Sequence, residues 1–131
     1  MENIMRKPDM QEIKAFVPAR DFNTALSFYQ DMGFEVASNQ GGFAYLKYDN
    51  CSFMLQDFYV AEHSNNFMMH ILVDNLDIWY DMIKSSGLVE KYVVCLTDIK
   101  TQHYGMRDFT LTDPSGVLWC IGEELKDSSH A

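Results

Sequence analysis

Residues 104–123 read YGMRDFTLTDPSGVLWCIGE, which predicts two short strands joined by a tight turn. In Asp108–Thr112, polar and apolar residues alternate with the period of two that is typical of a half-buried strand. Asp113–Gly116, with the sequence D-P-S-G, consists of turn formers: proline presets φ, aspartate bonds nearby amides and glycine adopts positive φ. Val117–Ile121 is almost wholly apolar, so we expect both faces of this second strand to be covered.

The hairpin completes a pattern that occurs twice in the chain. Two predicted helices, Asp21–Gly33 and Asp74–Gly87, each follow a strand, begin at a capping residue and end at a glycine. The pattern repeats after roughly 53 residues, which indicates two copies of one β-α-β-β-β module within a single domain. The modules span about 12–58 and 67–123. Because one module alone leaves a sheet face bare, we expect the copies to pair within or between chains.

Hydrophobic period and turn residues predict the individual elements of an α+β fold. The first module is predicted to contain a strand at Glu12–Pro18, a helix from Asp21 or Asn23 to about Met32, and strands at Phe34–Ser38, Phe43–Tyr48 and Ser52–Phe58. After a polar connection, the second is predicted to contain a strand at Phe67–Val73, a helix from Asp74 or Asn75 to Ser86, a strand-like Leu88–Leu96, a loop and the hairpin. We assign Phe28 and Trp79 to helix faces that pack in the core.

Composition limits the classes of partner and the compartment. The net charge of −9 repels nucleic acid and favours cationic partners, although acidity also serves solubility. Cys51, Cys95 and Cys120 are odd in number and lack C-x-x-C spacing, which argues against a disulfide scaffold or a structural zinc site and is typical of a reducing cytosol. No apolar run approaches the roughly 18 residues of a membrane span, and Met1–Met10 lack the apolar segment of a secretory signal. We therefore predict a cytoplasmic protein without nucleic-acid or membrane partners.

Three short motifs, combined with the repeat, carry a family resemblance. P-A-R-D-F at 18–22, F-M-L-Q at 53–56 and Y-G-M-R-D-F at 104–109 resemble the vicinal oxygen chelate superfamily, which includes glyoxalase I, extradiol dioxygenases and bleomycin resistance proteins. The bleomycin resistance branch is the most similar, and the resemblance covers roughly 12–124. It implies open, curled mixed sheets with a ligand on their concave side and helices on their convex side. It also implies a homodimer in which both chains complete the cleft.

The resemblance further implies four strand positions that hold a divalent metal in the enzymes of the superfamily. Offsets from the matching motifs place these positions at Lys14, at Met54 or Gln56, at Met68 and at Cys120. None is His, Asp or Glu, so the set cannot assemble a hard nitrogen and oxygen site, and we predict no metal and no cofactor. A soft-metal site shared by His70 and Cys120 stays open as an alternative, although it leaves a four-coordinate shell half empty.

Alternation along the strands predicts the lining of the concave face. The ligand-binding candidates are Phe16, Met54, Gln56, Phe58, Met68, His70, Tyr104, Arg107 and Cys120. An apolar and aromatic lining with a few polar groups is typical of a small-molecule site, and acidic residues at its rim attract a cation. Core packing is the alternative for each aromatic residue. For Arg107 the alternative is a local clamp on Asp108 or Asp113.

These observations favour binding over catalysis. We predict a metal-free homodimeric protein of the bleomycin resistance type, which sequesters a cationic or aromatic antibiotic in an inter-subunit cleft and has no catalytic residues. The sequence contains neither a G-x-S-x-G nucleophile elbow nor a phosphate-binding glycine loop. Two alternatives stay open: a glyoxalase-like, metal-dependent isomerase or lyase, and a binder of an unrelated metabolite.

Overall fold

The computed structural model describes residues 7–125 and shows two βαβββ modules. The first consists of β1 (Phe16–Pro18), α1 (Phe22–Met32), β2 (Glu35–Gln40), β3 (Phe43–Tyr48) and β4 (Cys51–Gln56). The second follows a short α2 (Ala61–Ser64) and consists of β5 (Met68–Leu72), α3 (Leu76–Ser85), α4 (Leu88–Tyr92), β6 (Lys100–Thr101), β7 (Met106–Thr112) and β8 (Leu118–Glu124). The predicted α+β fold class is confirmed.

Each module forms one mixed sheet, and the two sheets have equivalent strand orders. Sheet A has the order β1-β4-β3-β2, and sheet B has the order β5-β8-β7-β6. In both, the first strand of the module runs parallel to the last and the other neighbours are antiparallel. The register places Phe16 beside Met54 in sheet A and His70 beside Cys120 in sheet B. We call the face of each sheet that carries these residues the outer face, and the opposite one the core face.

The core faces and the helices enclose a buried cluster to which both modules contribute. Trp119 of β8 lies where they meet, since its ring packs against Phe53 at 5.2 Å and Tyr29 at 5.5 Å between centroids. Phe28 is fully buried, as predicted. Trp79 departs from its core assignment, because it is only partly buried and its ring lies 5.4 Å from that of Tyr48 near the surface.

The two long helices begin in different ways. In α1 the side chain of Asp21 accepts a hydrogen bond from the Thr24 amide at 3.1 Å, and Gly33 ends the helix with φ 111°, as predicted. In α3 the residue at the cap position, Asn75, makes no side-chain cap bond. The amide of Leu76 instead donates to Oε1 of Glu123 at 2.8 Å. The carboxylate of Glu123 in β8 therefore caps α3 in place of the predicted local residue.

The predicted strand at Leu88–Leu96 is wrong. The chain forms α4 at Leu88–Tyr92, and Val93 ends it with φ 53°. Gly87, at φ 81°, lets the chain turn directly from α3 into this second helix. Packing decides the outcome, because Leu88 is buried and the Tyr92 ring lies 5.2 Å from Phe28 of α1. These tertiary contacts override the β propensity of the valines.

Several boundaries also differ from prediction. The first strand is confined to Phe16–Pro18, and the missing strand of the second module is the two-residue β6 within the predicted loop. The last strand is not covered on both faces, since Leu118 and Cys120 are only partly buried. In the range 7–125, no helix is long and apolar enough to cross a membrane. The prediction that Met1–Met10 contain no secretory signal concerns residues that lie mostly outside that range.

Candidate functional site

The hairpin turn at Asp113–Gly116 and α1 meet in a buried polar network. Asp113, which is 3% exposed, accepts bonds from two amides of its own turn at 2.8 and 2.9 Å and from the Tyr29 hydroxyl. Trp119 Nε1 donates to that hydroxyl oxygen at 2.8 Å, and Ser115 Oγ accepts from the Arg20 amide at 2.8 Å. Burial raises the pKa of both Tyr29 and Asp113. The network joins the hairpin to α1, so these residues specify the fold and not the chemistry.

The outer face of sheet B carries a polar cluster centred on Asp108. This carboxylate is 4% exposed and accepts bonds from Gln102 Nε2 and the Tyr104 hydroxyl, each at 2.8 Å, and from Cys120 Sγ at 3.7 Å. Burial acts to raise the pKa of Asp108, but the three hydrogen bonds and the nearby His70 lower it overall. A fixed negative charge therefore lies just below an open surface.

Cys120 lacks the properties of a nucleophile. Burial, together with the adjacent Asp108 carboxylate, raises the pKa of its thiol to about 11. The thiolate is the form that attacks an electrophile or binds a metal. At neutral pH Cys120 is therefore a protonated hydrogen-bond donor to Asp108.

Large apolar side chains on and beside the outer faces are exposed. They are Phe16 at 51%, Phe58 at 46%, Met68 at 62%, Leu72 at 58% and Tyr104 at 57%. On sheet A the Phe16 ring packs edge-on against Phe43 with centroids 5.6 Å apart. Exposed apolar side chains grouped around polar ones are typical of a binding surface.

The segment before β1 contacts the outer face of sheet A through Glu12. Its carboxylate accepts bonds from Ser52, from Lys14 Nζ at 2.9 Å and from the Tyr45 hydroxyl at 2.9 Å. The same three groups, in that order, lower the pKa of Glu12 to about 2. Lys14, one of the implied metal-ligand positions, is therefore committed to an ion pair.

The structure places most of the predicted ligand-binding residues on the outer faces. Sheet A carries Phe16, Met54 and Gln56, and sheet B carries Met68, His70 and Cys120. Tyr104 joins the second group through its bond to Asp108, and Phe58 lies just beyond β4. Within one chain the two groups belong to separate sheets.

Arg107 requires a correction. It follows the alternation of β7 to the face opposite Asp108, where its guanidinium donates to Asp77 of α3 at 3.1 and 3.3 Å. It also lies 3.6 Å from Glu123 of β8. Asp77 and Glu123 are thus its partners, and Arg107 joins sheet B to the start of α3 instead of lining the outer face.

The residues at the implied metal positions do not fit a divalent metal. Lys14 is paired with Glu12, Met54 and Met68 offer only weak thioether sulfur, Gln56 offers a neutral amide, and Cys120 is a single soft sulfur. In the described part of the chain, no three His, Cys, Asp or Glu side chains are grouped so that they could hold a metal. His70 is adjacent to Cys120 in register, and together the two supply only half of a four-coordinate soft-metal shell.

Sequence reasoning missed the polar residues that organise these faces. Asp108 carried a usable signal, since alternation places it on the opposite side of its strand from Phe109. Gln102 and Glu12 carried none, because both reach their sheets from irregular segments whose paths depend on the folded chain.

Comparison with known proteins identifies the family. A family model of the Glyoxalase/Bleomycin resistance protein/Dioxygenase superfamily matches residues 11–121, and the chain belongs to this superfamily. A bleomycin-binding protein complexed with bleomycin has a similar structure, with a TM-score of 0.74, 20% identity, and coverage of 88% of this chain and 99% of that chain. No curated protein matches the sequence.

Two further solved structures show how widely the fold is used. An antibiotic binding protein from Streptomyces sp. CB03234 has a TM-score of 0.72 and 19% identity, covering 90% of this chain and 99% of that chain. A lactoylglutathione lyase from Agrobacterium tumefaciens has a TM-score of 0.63 and 18% identity, covering 88% and 95%. At such identities the similarity establishes the fold, and function has to be argued from the site.

Proposed function

We propose that this chain is a small-molecule binding protein that sequesters a cationic or aromatic compound, such as a bleomycin-type antibiotic. The ligand lies in a cleft that the outer faces of two copies complete, in the cytoplasm and without a metal. The observation that carries the proposal is the Asp108 cluster, in which a negatively charged carboxylate is held beneath the exposed ring of Tyr104. Aromatic surface beside a fixed negative charge attracts a flat cationic molecule.

The chemistry of the site supports binding without turnover. Cys120 is protonated, and the implied metal positions hold side chains that cannot form a hard site. Among similar folds, one is described as bleomycin-binding and another as antibiotic binding. The lyase on the same fold shows why the side chains must decide between the two kinds of function.

Isothermal titration of the purified protein with metal-free bleomycin tests the proposal. We expect saturable binding with one ligand per chain. Asp108→Asn should weaken it about tenfold or more, because a buried charge that recognises a cation is lost. Asp81→Asn, which removes a carboxylate from the exposed surface of α3, is the matched control and should bind as the wild type does.

Two results would overturn the proposal in different ways. The absence of saturable binding up to high micromolar bleomycin would remove the antibiotic class as the ligand. Stoichiometric metal in the purified protein that disappears in His70→Ala, accompanied by hemithioacetal turnover with added nickel or zinc, would instead establish the enzyme.

A further inference from the structure

A groove of about 570 Å³ lies between the two modules and extends to the edges of both outer faces at Ser52, His70 and Leu72. Its walls are the β3–β4 turn on one side and β5 with the start of α3 on the other. Trp119, a core-face residue, forms part of its lining. His70 and Leu72 are where the groove approaches the outer face of sheet B. The volume falls in the range of small-molecule sites.

The aromatic walls of this groove are held in place by packing. The Tyr48 ring lies 5.4 Å from both Phe34 and Trp79 between centroids. A Cβ at Gly33 would come within 2.9 Å of the Tyr48 ring, so the ring occupies space that only glycine leaves open. Deeper in the groove, Trp119 packs against Phe53 at 5.2 Å. A lining fixed in this way loses little conformational entropy when a ligand enters.

Two carboxylates flank the groove. Asp49 and Asp74 line it on opposite walls, and the described lining includes no lysine or arginine. Tyr and Trp faces attract cations through their ring quadrupoles, and nearby carboxylates add to that attraction. β5 is an edge strand that pairs only with β8 within sheet B, so its other edge offers backbone carbonyls as further acceptors.

We infer that the groove is a second ligand site, specific for a small planar aromatic cation that inserts beside Tyr48 and Trp79. The positive charge of the ligand is balanced by Asp49 and Asp74. This site shares His70 and Leu72 with the outer face of sheet B, but its lining does not include Tyr104 or Asp108, and it is complete within one chain. A permanently charged nitrogen heteroaromatic is the class of ligand that its lining fits.

Tryptophan fluorescence provides a direct test, because both tryptophans of the chain line the groove. The probe is N-methylacridinium, and its control is acridine at pH 8, which has the same ring system without the charge. We expect N-methylacridinium to quench the fluorescence saturably and to bind at least tenfold more tightly than acridine. The measurement uses the full chain in whatever assembly it forms in solution.

Variants distinguish charge-specific binding in the groove from nonspecific adsorption to its apolar lining. Asp49→Asn combined with Asp74→Asn should weaken N-methylacridinium binding about tenfold at low salt. Asparagine tolerates the φ of 53° at position 49, so the turn is preserved. Asp81→Asn with Glu90→Gln makes the same change in net charge at exposed helix positions and should leave binding unchanged.

The outcomes distinguish this site from the proposed cleft. Tyr104→Phe and Asp108→Asn should leave N-methylacridinium binding intact, whatever they do to bleomycin. Loss of quenching in those variants would assign the probe to the cleft and overturn the inference. Unsaturable quenching would also overturn the inference, and it is the result expected if a second copy of the chain fills the groove. Equal affinity for the charged and neutral probes would overturn it as well.

Discussion

Asp108 and Asp113, two buried carboxylates of one hairpin, have pKa values shifted in opposite directions. The difference distinguishes a residue that stabilises the fold from one suited to bind a ligand. Burial dominates at Asp113, whose pKa is raised and whose partners are the turn amides and Tyr29. At Asp108 the hydrogen bonds from Gln102 and Tyr104 outweigh burial, so its pKa is lowered. Asp113 therefore serves the fold, while Asp108 keeps its charge beneath an open face.

The state of Cys120 leads to a prediction about labelling. A thiol whose pKa is about 11 has about a hundredfold less thiolate at pH 8 than one at the usual 9.0. In mass-spectrometric time courses with iodoacetamide, we expect the exposed Cys51 and Cys95 to react first and Cys120 to lag by about that factor. Asp108→Asn should speed labelling of Cys120 only in part, because burial persists. Rapid labelling of wild-type Cys120 would contradict the assignment.

Glu12 predicts a pH dependence whose sign follows from its lowered pKa. A carboxyl group with a pKa of about 2 in the folded chain and 4.5 unfolded stabilises the protein above pH 4.5. That stabilisation is lost as the pH falls toward 2. In urea titrations, wild type should exceed Glu12→Gln in midpoint at pH 6, and the gap should shrink below pH 4.5. A constant gap between pH 6 and 3 would show that the bonds to Ser52 and Lys14 do not hold the carboxylate.

The sequence predicted residues whose side chains are set by local alternation. Phe16, Met54 and Met68 lie on the outer faces because each belongs to a strand with a period of two. Arg107 was assigned to the ligand-binding face although the alternation of β7 places it opposite Asp108, and its partner Asp77, 30 positions away, has no local signal. The contacts that tune a site arise between segments, and one sequence alone does not specify which segments meet.

At the scale of elements, the two helix starts provide a matched comparison. The repeat predicts equivalent caps, but Asp21 bonds the Thr24 amide while Asn75 makes no cap bond and Glu123 serves α3 from another strand. We expect Asp21→Ala to lower the free energy of unfolding by about 1 kcal/mol and Asn75→Ala to lower it much less.

Glu123→Ala completes this comparison. It removes the acceptor of the Leu76 amide as well as the contact to Arg107, so we expect a loss of about 1–3 kcal/mol. All three variants are compared with wild type by urea denaturation followed by circular dichroism. Equal losses for Asp21→Ala and Asn75→Ala, with none for Glu123→Ala, would mean that both helices are capped locally.

The same contrast explains which elements could be predicted. α1 has every local signal, with Asp21 before it, Gly33 after it and an apolar stripe along one side, and its observed bounds agree with the prediction. α4 has the residues of a strand and becomes a helix because Tyr92 packs on Phe28 and bonds Asp31. β6 has only two residues, too few for any periodicity to show.

At the scale of the whole molecule, one chain leaves the outer faces of both sheets open. Phe16 on sheet A and Met68 on sheet B are more than half exposed, although each lies within a regular strand. Two copies of the chain could cover sheet A of one with sheet B of the other, and such an interface is self-complementary under two-fold symmetry. The proposed cleft depends on this arrangement, whereas the groove at Trp79 does not.

Sedimentation velocity tests the pairing with variants of matched exposure. Met68→Glu places a charge at a side chain that is 62% exposed on the outer face, and Ile78→Glu does the same at 63% exposure on α3. We expect wild type and Ile78→Glu to sediment as dimers at micromolar concentration and Met68→Glu as a monomer, because a buried unpaired charge destabilises an interface strongly. Phe16→Glu should behave like Met68→Glu, since the two faces meet in the same cleft. If wild type sediments as a monomer, or if Ile78→Glu dissociates the dimer while Met68→Glu does not, the chains do not pair through their outer faces.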